Sequence, residues 1–367
     1  MENKKIRVAI THGDTNGVGY EMIFKVFAEP EMLDLCTPII YGSPKVAVYH
    51  RKVLDLEANF SIINDTDEVI ENRINLLTCF DNEVKIDIGK PTQESGEAAL
   101  KALDRAMTDF RHEAYDILVT APVCNSNIKG EGFKFKGTDN YIETCVGEGK
   151  KGLTVYINNS MRVATVTDDI ALKDVSNNIT QENIIAKTKI LFNALKRDFR
   201  ISCPRIAVLA LNPDAGGMEE ENIIKPAIAK LTESGINAFG PYPAEHFFGS
   251  TDYDAFDAIL AMYHDQGTIP LYTLSPSDNI SLLAGLPIVC TTPHCNNIFC
   301  TDRQQLVDEN PLRQAIYLAI DTFHNRLKYD EPMGNPLRKL YHEKRDESEK
   351  VRFSIPKKHE QTTASEQ

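Results

Sequence analysis

Short runs of apolar and β-branched residues alternate along the chain with longer segments whose apolar residues recur at helical spacing. The short runs predict strands at residues 7–11, 38–41, 116–120, 154–157, 163–167, 205–211, 258–263 and 286–291. The longer segments predict helices at residues 93–112, 182–199 and 310–328. Several strands are apolar on both faces, as parallel strands are when helices cover both sides of a sheet. The alternation therefore predicts an α/β fold with a largely parallel sheet.

The charge balance restricts the kind of partner that the chain can have. Its 367 residues include 40 Lys and Arg against 53 Asp and Glu, which gives a net charge of −13. Nucleic acids and anionic lipids need a basic surface, so neither is expected as a partner. No apolar run approaches the roughly 18–20 residues of a membrane span. Residues 6–10 are strand-like where a signal peptide would stand, and the eight cysteines are scattered, so we expect a cytoplasmic protein with reduced thiols.

The last forty residues differ in composition from the rest. Residues 328–367 hold nine basic and eight acidic side chains and few apolar ones. Such a segment cannot bury enough apolar surface to fold alone, so it is predicted to be a charged, flexible tail. Because the tail carries a net charge of +1, the acidity belongs to residues 1–327.

A glycine-containing segment, T-H-G-D-T-N-G-V-G-Y-E at residues 11–21, joins a predicted strand to a helix. Glycine permits positive φ and close backbone approach, and the N-terminus of the following helix offers free N–H groups to an anion. The segment lacks the third glycine of the dinucleotide fingerprint and the Gly-Lys-Ser/Thr of a phosphate loop. It fits a ligand loop or a plain tight turn.

Two further segments place polar residues where predicted strands end. Asp214 lies in L-N-P-D-A-G-G at residues 211–217, and His264 lies beside Asp265 in A-M-Y-H-D-Q-G at residues 261–267. The carboxyl ends of parallel strands are where α/β proteins bind ligands. His264 fits a metal ligand, a general base or a structural hydrogen bond to Asp265.

A cluster of thiols follows the last predicted strand. Cys290, His294, Cys295 and Cys300 fall within eleven residues, which is a composition that can bind zinc or take a redox role. The usual Cys-x2-Cys pairs are missing, so a local accumulation of small, half-buried residues is the competing interpretation.

Taken together and in this order, these segments resemble the 4-hydroxythreonine-4-phosphate dehydrogenase family of vitamin B6 biosynthesis. The resemblance runs from about residue 5 to residue 327, with matching blocks at residues 11–21, 119–122, 211–213, 240–244, 261–267 and 285–287. It implies two α/β/α domains flanking a cleft, as in the isocitrate and isopropylmalate dehydrogenases. The first domain would comprise residues 1–136 and 285–327, the second residues 137–284, and the tail residues 328–367.

The resemblance also implies a chemistry. Members of the family are homodimers whose active site takes residues from both subunits. They use NAD and a divalent metal to oxidise the hydroxyl of 4-phosphohydroxythreonine, and the product then loses CO2. The expected partners of this chain are therefore a small-molecule substrate, 4-phosphohydroxythreonine or a related hydroxy acid, and a second copy of itself.

The metal ligands of the family fall on altered residues here. Its three histidines align with Asp169, Asp214 and His264, and a neighbouring aspartate aligns with Glu245. The alignment leaves open whether Asp168 or Asp169 faces the cleft. Oxygen ligands suit Mg²⁺ or Mn²⁺ better than Zn²⁺, so the carboxylate-rich set favours one of the former two metals.

The substrate contacts of the family are altered as well. A His-Thr pair falls on Thr138 and Asp139, and one asparagine is kept as Asn279. The cationic contacts are lost, at Asn125, Tyr272 and Cys290. Two interpretations follow. Either the chain is a dehydrogenase with a changed site, or it is a catalytically impaired paralogue that binds a small molecule or a partner.

Overall fold

The structure is a computed structural model that describes residues 5–56, 58–80, 84–128, 135–295, 297–299 and 307–334. Residues up to Tyr329 form one compact unit, and a second unit begins at Asp330, of which the structure describes the end of one helix. In the described part of the chain, no helix is both long enough and apolar enough to cross a membrane.

The described residues form a single twelve-stranded sheet. The strands are β1 Ile6–Thr11, β2 Cys36–Gly42, β3 Phe60–Ile63, β4 Ile74–Thr78, β5 Ile117–Thr120, β6 Leu153–Ile157, β7 Arg162–Thr167, β8 Arg205–Leu209, β9 Asn237–Tyr242, β10 Ala258–Tyr263, β11 Ile280–Ala284 and β12 Cys290–Pro293. Their order across the sheet is β3-β4-β2-β1-β5-β12-β11-β6-β7-β10-β8-β9.

Two parallel arrays make up most of this sheet. In sheet order, the first array consists of the mutually parallel strands β3, β4, β2, β1, β5 and β12. The second array consists of the mutually parallel strands β7, β10, β8 and β9. Between the arrays, β11 pairs antiparallel with β12 and β6, and β6 pairs antiparallel with β7. The expectation of an α/β fold with a largely parallel sheet is confirmed. The domain boundaries at residues 136/137 and 284/285 stay a prediction.

Helices cover both faces of the sheet. They are α1 Gly19–Val26, α2 Pro30–Leu35, α3 Pro44–Val53, α4 Gln93–Arg111, α5 Asn125–Ile128, α6 Thr138–Val146, α7 Leu172–Asn178, α8 Gln181–Arg197, α9 Lys225–Glu233, α10 Ala244–Gly249, α11 His264–Leu274 and α12 Asn310–Gly334. On β1, Val8 and Ile10 pack into one apolar cluster while Ala9 packs into another on the opposite face. Burial on both faces explains why the strands are continuously apolar.

Hydroxyl caps set the starts of the two long predicted helices. The Thr92 hydroxyl accepts from the Ser95 N–H at 3.3 Å, and Ser95 completes a capping box at the start of α4. Thr180 accepts from the Asn183 N–H at 3.2 Å, so α8 begins at Gln181, one residue before the predicted start. The third predicted helix, α12, starts at Asn310 as expected but continues past residue 328 to Gly334.

The predicted strand at residues 286–291 is largely wrong. The chain turns at Gly285, whose φ is +87°, and β12 begins only at Cys290. The carbonyls of Leu286, Pro287 and Ile288 each accept from Nη1 of Arg326, at 3.0–3.1 Å, and these residues lie outside the strand. Arg326 also pairs with the buried Asp198 at 2.7 Å, so it joins α12 to the end of α8.

Four strands, β3, β4, β9 and β11, were not predicted. β3 and β9 lie at the two edges of the sheet, where strands need not be apolar on both faces. Most of β9 is exposed or half-buried, and it contains a Gly240–Pro241 step, so its sequence lacks an apolar run.

Candidate functional site

The candidate site surrounds Tyr156, which lies on β6 where the two parallel arrays meet. Its side chain is 9% exposed. The imidazole of His264, the first residue of α11, stands edge-on to it at 5.8 Å between ring centroids. The imidazole of His294, just after β12, lies 5.5 Å from the same ring, and Tyr272 of α11 lies 6.0 Å from His294. Side chains from α11 and from the segment after β12 therefore meet beside one tyrosine of β6.

Two threonine–aspartate pairs lie next to this tyrosine. The Thr154 hydroxyl on β6 donates to the Asp139 carboxylate on α6 at 2.6 Å, and the Thr165 hydroxyl on β7 donates to Asp168 at 2.6 Å. The two strands are antiparallel with Val155 opposite Ala164, a register that brings Thr154 and Thr165 side by side. Directly opposite residues in such a pair have Cβ atoms about 4.5–5.5 Å apart. The fold thus brings two carboxylates to one end of the site.

Only one of these two carboxylates is neutralised. The Lys187 ammonium on α8 donates to Asp168 at 2.7 Å and to the Thr165 carbonyl at 3.1 Å. Among the residues that the structure describes, no Lys, Arg or His side chain forms an ion pair with Asp139. Asp168 is therefore held by both Lys187 and Thr165.

The electrostatics of the site follow from burial and from these charges. Burial, and then the negative charge of Asp168, raise the pKa of Asp139 above its usual range, although hydrogen bonds from Thr154 and Thr138 partly offset this. Burial and the neighbouring carboxylates raise the pKa of Tyr156 as well. Burial, and then the proximity of His264, lower the pKa of His294 to about 4. His294 is therefore neutral at neutral pH.

Two polar atoms at the other end of the site are buried without a hydrogen-bond partner. They are Oδ1 of Asn279 and Nε2 of His294. Asn279 is only 2% exposed. Its side-chain amide donates to the Ser275 carbonyl, and its backbone carbonyl accepts from the backbone N–H of His294 at 2.9 Å. Buried polar atoms are normally paired, so unpaired ones in a cleft are candidates for ligand contacts.

The loop that carries Asp214 is held in place by hydrogen bonds to a buried glutamate. Glu220, 0% exposed, accepts from the N–H groups of Leu211 and Asn212 at 2.8 and 2.7 Å and from the Asn212 amide at 2.9 Å. Burial alone would raise the pKa of Glu220, but these hydrogen bonds outweigh it and lower the pKa. The loop turns through positive φ at Asp214 (+59°) and Ala215 (+51°), which is uncommon for residues other than glycine. The result is an exposed Asp214 on a fixed backbone.

The predicted metal ligands are not assembled by one chain. Asp169, Asp214 and Glu245 are exposed, and His264 donates or accepts through Nδ1 with Asp265 at 2.8 Å. Within the described residues of a single chain, no three His, Cys, Asp or Glu side chains are placed to hold a metal ion. The resemblance expects ligands from two subunits, so this set stays a prediction.

The thiol cluster is equally unassembled in the described residues. Burial raises the pKa of Cys295 to about 12 and that of Cys290 well above its usual range, so both are neutral thiols. The Cys295 sulfur contacts the Met22 sulfur at 3.5 Å. Cys300 lies outside the described residues. These contacts favour local packing over a zinc role for Cys290 and Cys295.

The segment at residues 11–21 uses its backbone internally. The N–H of Asp14 donates to the Pro122 carbonyl, that of Asn16 to the Asp14 carboxylate, and that of Gly17 to the Asp14 carbonyl. The Val18 N–H donates to the Ile298 carbonyl at 3.1 Å. With these four donors occupied, the tight turn is the better of the two interpretations.

Several site residues had no signal in the sequence. Tyr156 lies in a predicted strand, but nothing there marked it as central. Lys187 lies in a predicted helix, and only the fold brings it to Asp168. Glu220 is one of three consecutive glutamates, of which Glu219 is half-buried and Glu221 exposed, so sequence alone could not single it out.

The fold and the site define a class: an α/β protein with a cluster of polar and aromatic side chains where the parallel arrays of its sheet meet. The comparisons with known proteins narrow that class. The chain matches the family of the pyridoxal phosphate biosynthetic protein PdxA over residues 34–319. It is 50% identical over 358 residues to the 4-hydroxythreonine-4-phosphate dehydrogenase of Bacteroides thetaiotaomicron, covering 96% of this chain and 98% of that one. The chain therefore belongs to the PdxA family.

Solved structures support the same assignment. A structure described as a putative 4-hydroxythreonine-4-phosphate dehydrogenase from Salmonella typhimurium matches with a TM-score of 0.72 and 26% identity, covering 87% of this chain and all of that one. The enzyme of the same name from Burkholderia phymatum matches with a TM-score of 0.70 and 25% identity, over 87% and 99% of the two chains. The family resemblance drawn from the sequence is confirmed.

Proposed function

We propose that the chain oxidises the hydroxyl of 4-phosphohydroxythreonine, or of a related hydroxy acid, with NAD, and that the oxidised product loses CO2. The observation that carries this is the 50% identity to a 4-hydroxythreonine-4-phosphate dehydrogenase over nearly the whole of both chains. The reaction would serve vitamin B6 biosynthesis, the role in the family's name. NAD, when bound, supplies the hydride acceptor.

The chain's own residues would bind and orient the substrate in the cleft around Tyr156. Asp139 offers a carboxylate at one end, and Asn279 and His294 offer unpaired polar atoms at the other. Tyr156 and Tyr272 both lie against His294, with ring centroids 5.5 and 6.0 Å away, and would give the substrate an apolar contact. Thr138 stands beside Asp139 at the start of α6, so it is proposed as a substrate contact with Asp139 and Asn279.

We also propose that the enzyme is a homodimer in which a second copy completes the site. Each of three predicted metal ligands lies within five residues of a large exposed apolar side chain. Leu172 (74% exposed) follows Asp169, Met218 (77%) follows Asp214, and Ile269 (59%) follows His264. Burying a large apolar side chain gains about 1.5–3 kcal/mol, so a partner surface here would be stabilising.

The metal requires that second copy. Because the described residues of one chain offer no three-ligand site, we assign no step of the reaction to a metal. If the dimer unites Asp169, Asp214, Glu245 and His264, the oxygen-rich donor set suits Mg²⁺ or Mn²⁺ better than Zn²⁺. The Asp214→Ala variant should then abolish Mn²⁺ binding, measured by calorimetry on the apo-protein, while Asp252→Ala, in an exposed turn, should leave it unchanged.

The reaction itself is tested by following NADH formation with 4-phosphohydroxythreonine, with and without Mg²⁺ or Mn²⁺, on protein whose mass in solution is measured by light scattering. We expect NADH formation by a dimer. The competing proposal is a catalytically impaired paralogue, and one observation favours it: the positions of two family cations hold Tyr272 and the neutral thiol of Cys290. Binding of the substrate without any NADH formation would support that alternative.

A further inference from the structure

We propose that Asp139 binds the ammonium group of the substrate, and so selects a 2-amino hydroxy acid over the same acid without its amino group. The proposal deepens the proposed function and rests on it. It concerns which substrate the cleft accepts, and it assigns to Asp139 a role that the family pattern, with threonine at this position, does not supply.

Two neighbouring carboxylates at this site differ in their partners. Asp139 and Asp168 each accept one hydroxyl at 2.6 Å, from threonines that lie side by side on β6 and β7. Asp168 also has the Lys187 ammonium at 2.7 Å, whereas no cation pairs with Asp139 among the described residues. Asp139 is therefore the carboxylate whose charge the folded chain does not neutralise.

The surroundings of Asp139 favour one kind of cation as the group that would neutralise its carboxylate. A half-buried carboxylate without a counter-charge is unfavourable, as the raised pKa of Asp139 shows. A divalent metal needs several ligands, and no three candidate ligands come together here in the described part of one chain. A primary ammonium needs one carboxylate and a few hydrogen-bond acceptors, and its N–H groups form charge-assisted hydrogen bonds. It matches what Asp139 offers.

Two further polar atoms beside the same tyrosine also lack hydrogen-bond partners. Oδ1 of Asn279 and Nε2 of His294 are buried and unpaired. They lie near the opposite end of β6 from Thr154, since Ile280 pairs with Ile157 and Thr154 with Leu283. A ligand held by Asp139 at one end would bring hydroxyl or acid groups toward these two atoms. Unpaired buried atoms thus point to a ligand independently of the carboxylates.

The test compares two substrates in steady-state assays of the dimeric enzyme with NAD. One is 4-phosphohydroxythreonine, and the other is its analogue with hydrogen in place of the amino group. A hydrogen bond to a charged group contributes enough for roughly 10- to 100-fold in binding. We expect Asp139→Asn to lower kcat/KM for the amino substrate by about that factor, mainly through KM, and to change the analogue by less than about threefold.

Two variants and a binding measurement make the result decisive. Asp139→Thr, the family residue, should lose the same selectivity, whereas Asp168→Asn should keep the ratio between the two substrates. Equal losses on both substrates, or a fall in kcat alone, would indicate proton transfer or misfolding and would overturn the proposal. Calorimetry of both compounds with the NAD-bound protein gives the same ratio without turnover. An enzyme that binds the amino compound selectively but forms no NADH would contradict the proposed function and leave the inference standing.

Discussion

Two polar regions of this protein are built from similar residues but differ in how completely the chain pairs them. In the turn after β1, the buried Asp14 accepts from the Asn16 N–H at 3.0 Å and from the Asn127 amide at 2.6 Å. In the cleft around Tyr156, Asp139 has hydroxyl partners only, and Asn279 and His294 keep unpaired atoms. The Asp14 carboxylate, which the chain pairs internally, stabilises the fold, although both ring nitrogens of the neighbouring His12 lack partners. The Asp139 carboxylate has no cationic partner among the described residues, so a ligand can supply one.

The difference also fits an interpretation in which one matching motif is structural and another belongs to the proposed ligand site. The family resemblance at residues 11–21 preserves a turn that packs against the sheet, and nearly all of its residues are buried. The site around Tyr156 is framed by β6, β7, β11 and α11, and the sequence resemblance predicts that the charged groups on this framework differ from those of the family. The two regions should therefore respond in opposite directions when an aspartate is removed.

The largest effect is expected at Asp14. Replacing Asp14 with alanine leaves the Asn16 N–H and one N–H of the Asn127 amide without an acceptor, while the other N–H of that amide still donates to the Ser95 hydroxyl at 3.0 Å. Each stranded donor costs about 1–3 kcal/mol, so the free energy of unfolding should fall by roughly 2–4 kcal/mol. Urea denaturation monitored by circular dichroism measures this. Asp14→Asn keeps one acceptor oxygen and should lose less, and equal stability of Asp14→Ala and the parent would refute internal pairing as the role of this turn.

An intermediate effect is expected from histidines that are buried in the neutral form. Burial, and then the charge of His50, lower the pKa of His12 to about 3, and both ring nitrogens of His12 lack a partner. Because the unfolded chain takes up a proton near pH 6.5 and the folded chain does not, stability is complete above that pH and declines as the pH falls toward 3. Each such histidine contributes up to about 1.4 kcal/mol per pH unit.

The variant His12→Leu isolates this contribution. On the acid side, the slope of the unfolding free energy against pH should decrease by the amount that corresponds to up to about one bound proton. His112→Gln, at an exposed position, should leave that slope unchanged. Urea denaturation at several pH values between 7 and 4 gives both slopes. If His12→Leu declines as steeply as the parent, the acid sensitivity arises elsewhere, and His294, with its pKa lowered to about 4, becomes the next residue to test.

The sequence predicted the framework better than the cleft for a physical reason. Strands buried on both faces and capped helices have local signatures, which is why β1, β10, α4 and the start of α12 were predicted within a residue or so. The site depends on long-range placement: Lys187 reaches Asp168 only because α8 packs on β7. The register of β6 on β7 brings the two threonine–aspartate pairs together, and no local pattern encodes a register between strands.

Local propensity also cannot say which polar residues a fold leaves unpaired. Asn279 was predicted as a substrate contact from the family pattern, but the unpaired Nε2 of His294 was hidden among cysteines that suggested zinc. The exposed carboxylates of Asp169, Asp214 and Glu245 stay a predicted metal set, since no three candidate ligands come together among the described residues of one chain. If these residues act together only in a dimer, neither the sequence pattern nor the structure of one chain can show their arrangement.

The smallest effect, and the one opposite in sign to Asp14, is expected at Asp139. Since burial and the charge of Asp168 raise its pKa, the ionised form is disfavoured in the folded chain, and Asp139→Asn should increase the free energy of unfolding at neutral pH by about 0.5–1 kcal/mol. The gain should shrink as the pH falls through the raised pKa, because the parent then carries a neutral acid as well. Asp168→Asn, which removes the partner of Lys187, should instead lose up to about 1 kcal/mol, an amount limited by the exposure of that ion pair. Urea denaturation of the two variants in parallel compares them directly. If both variants were destabilised alike, Asp139 would be a structural residue like Asp14, and the contrast between a turn paired for stability and a cleft left open for a ligand would fail.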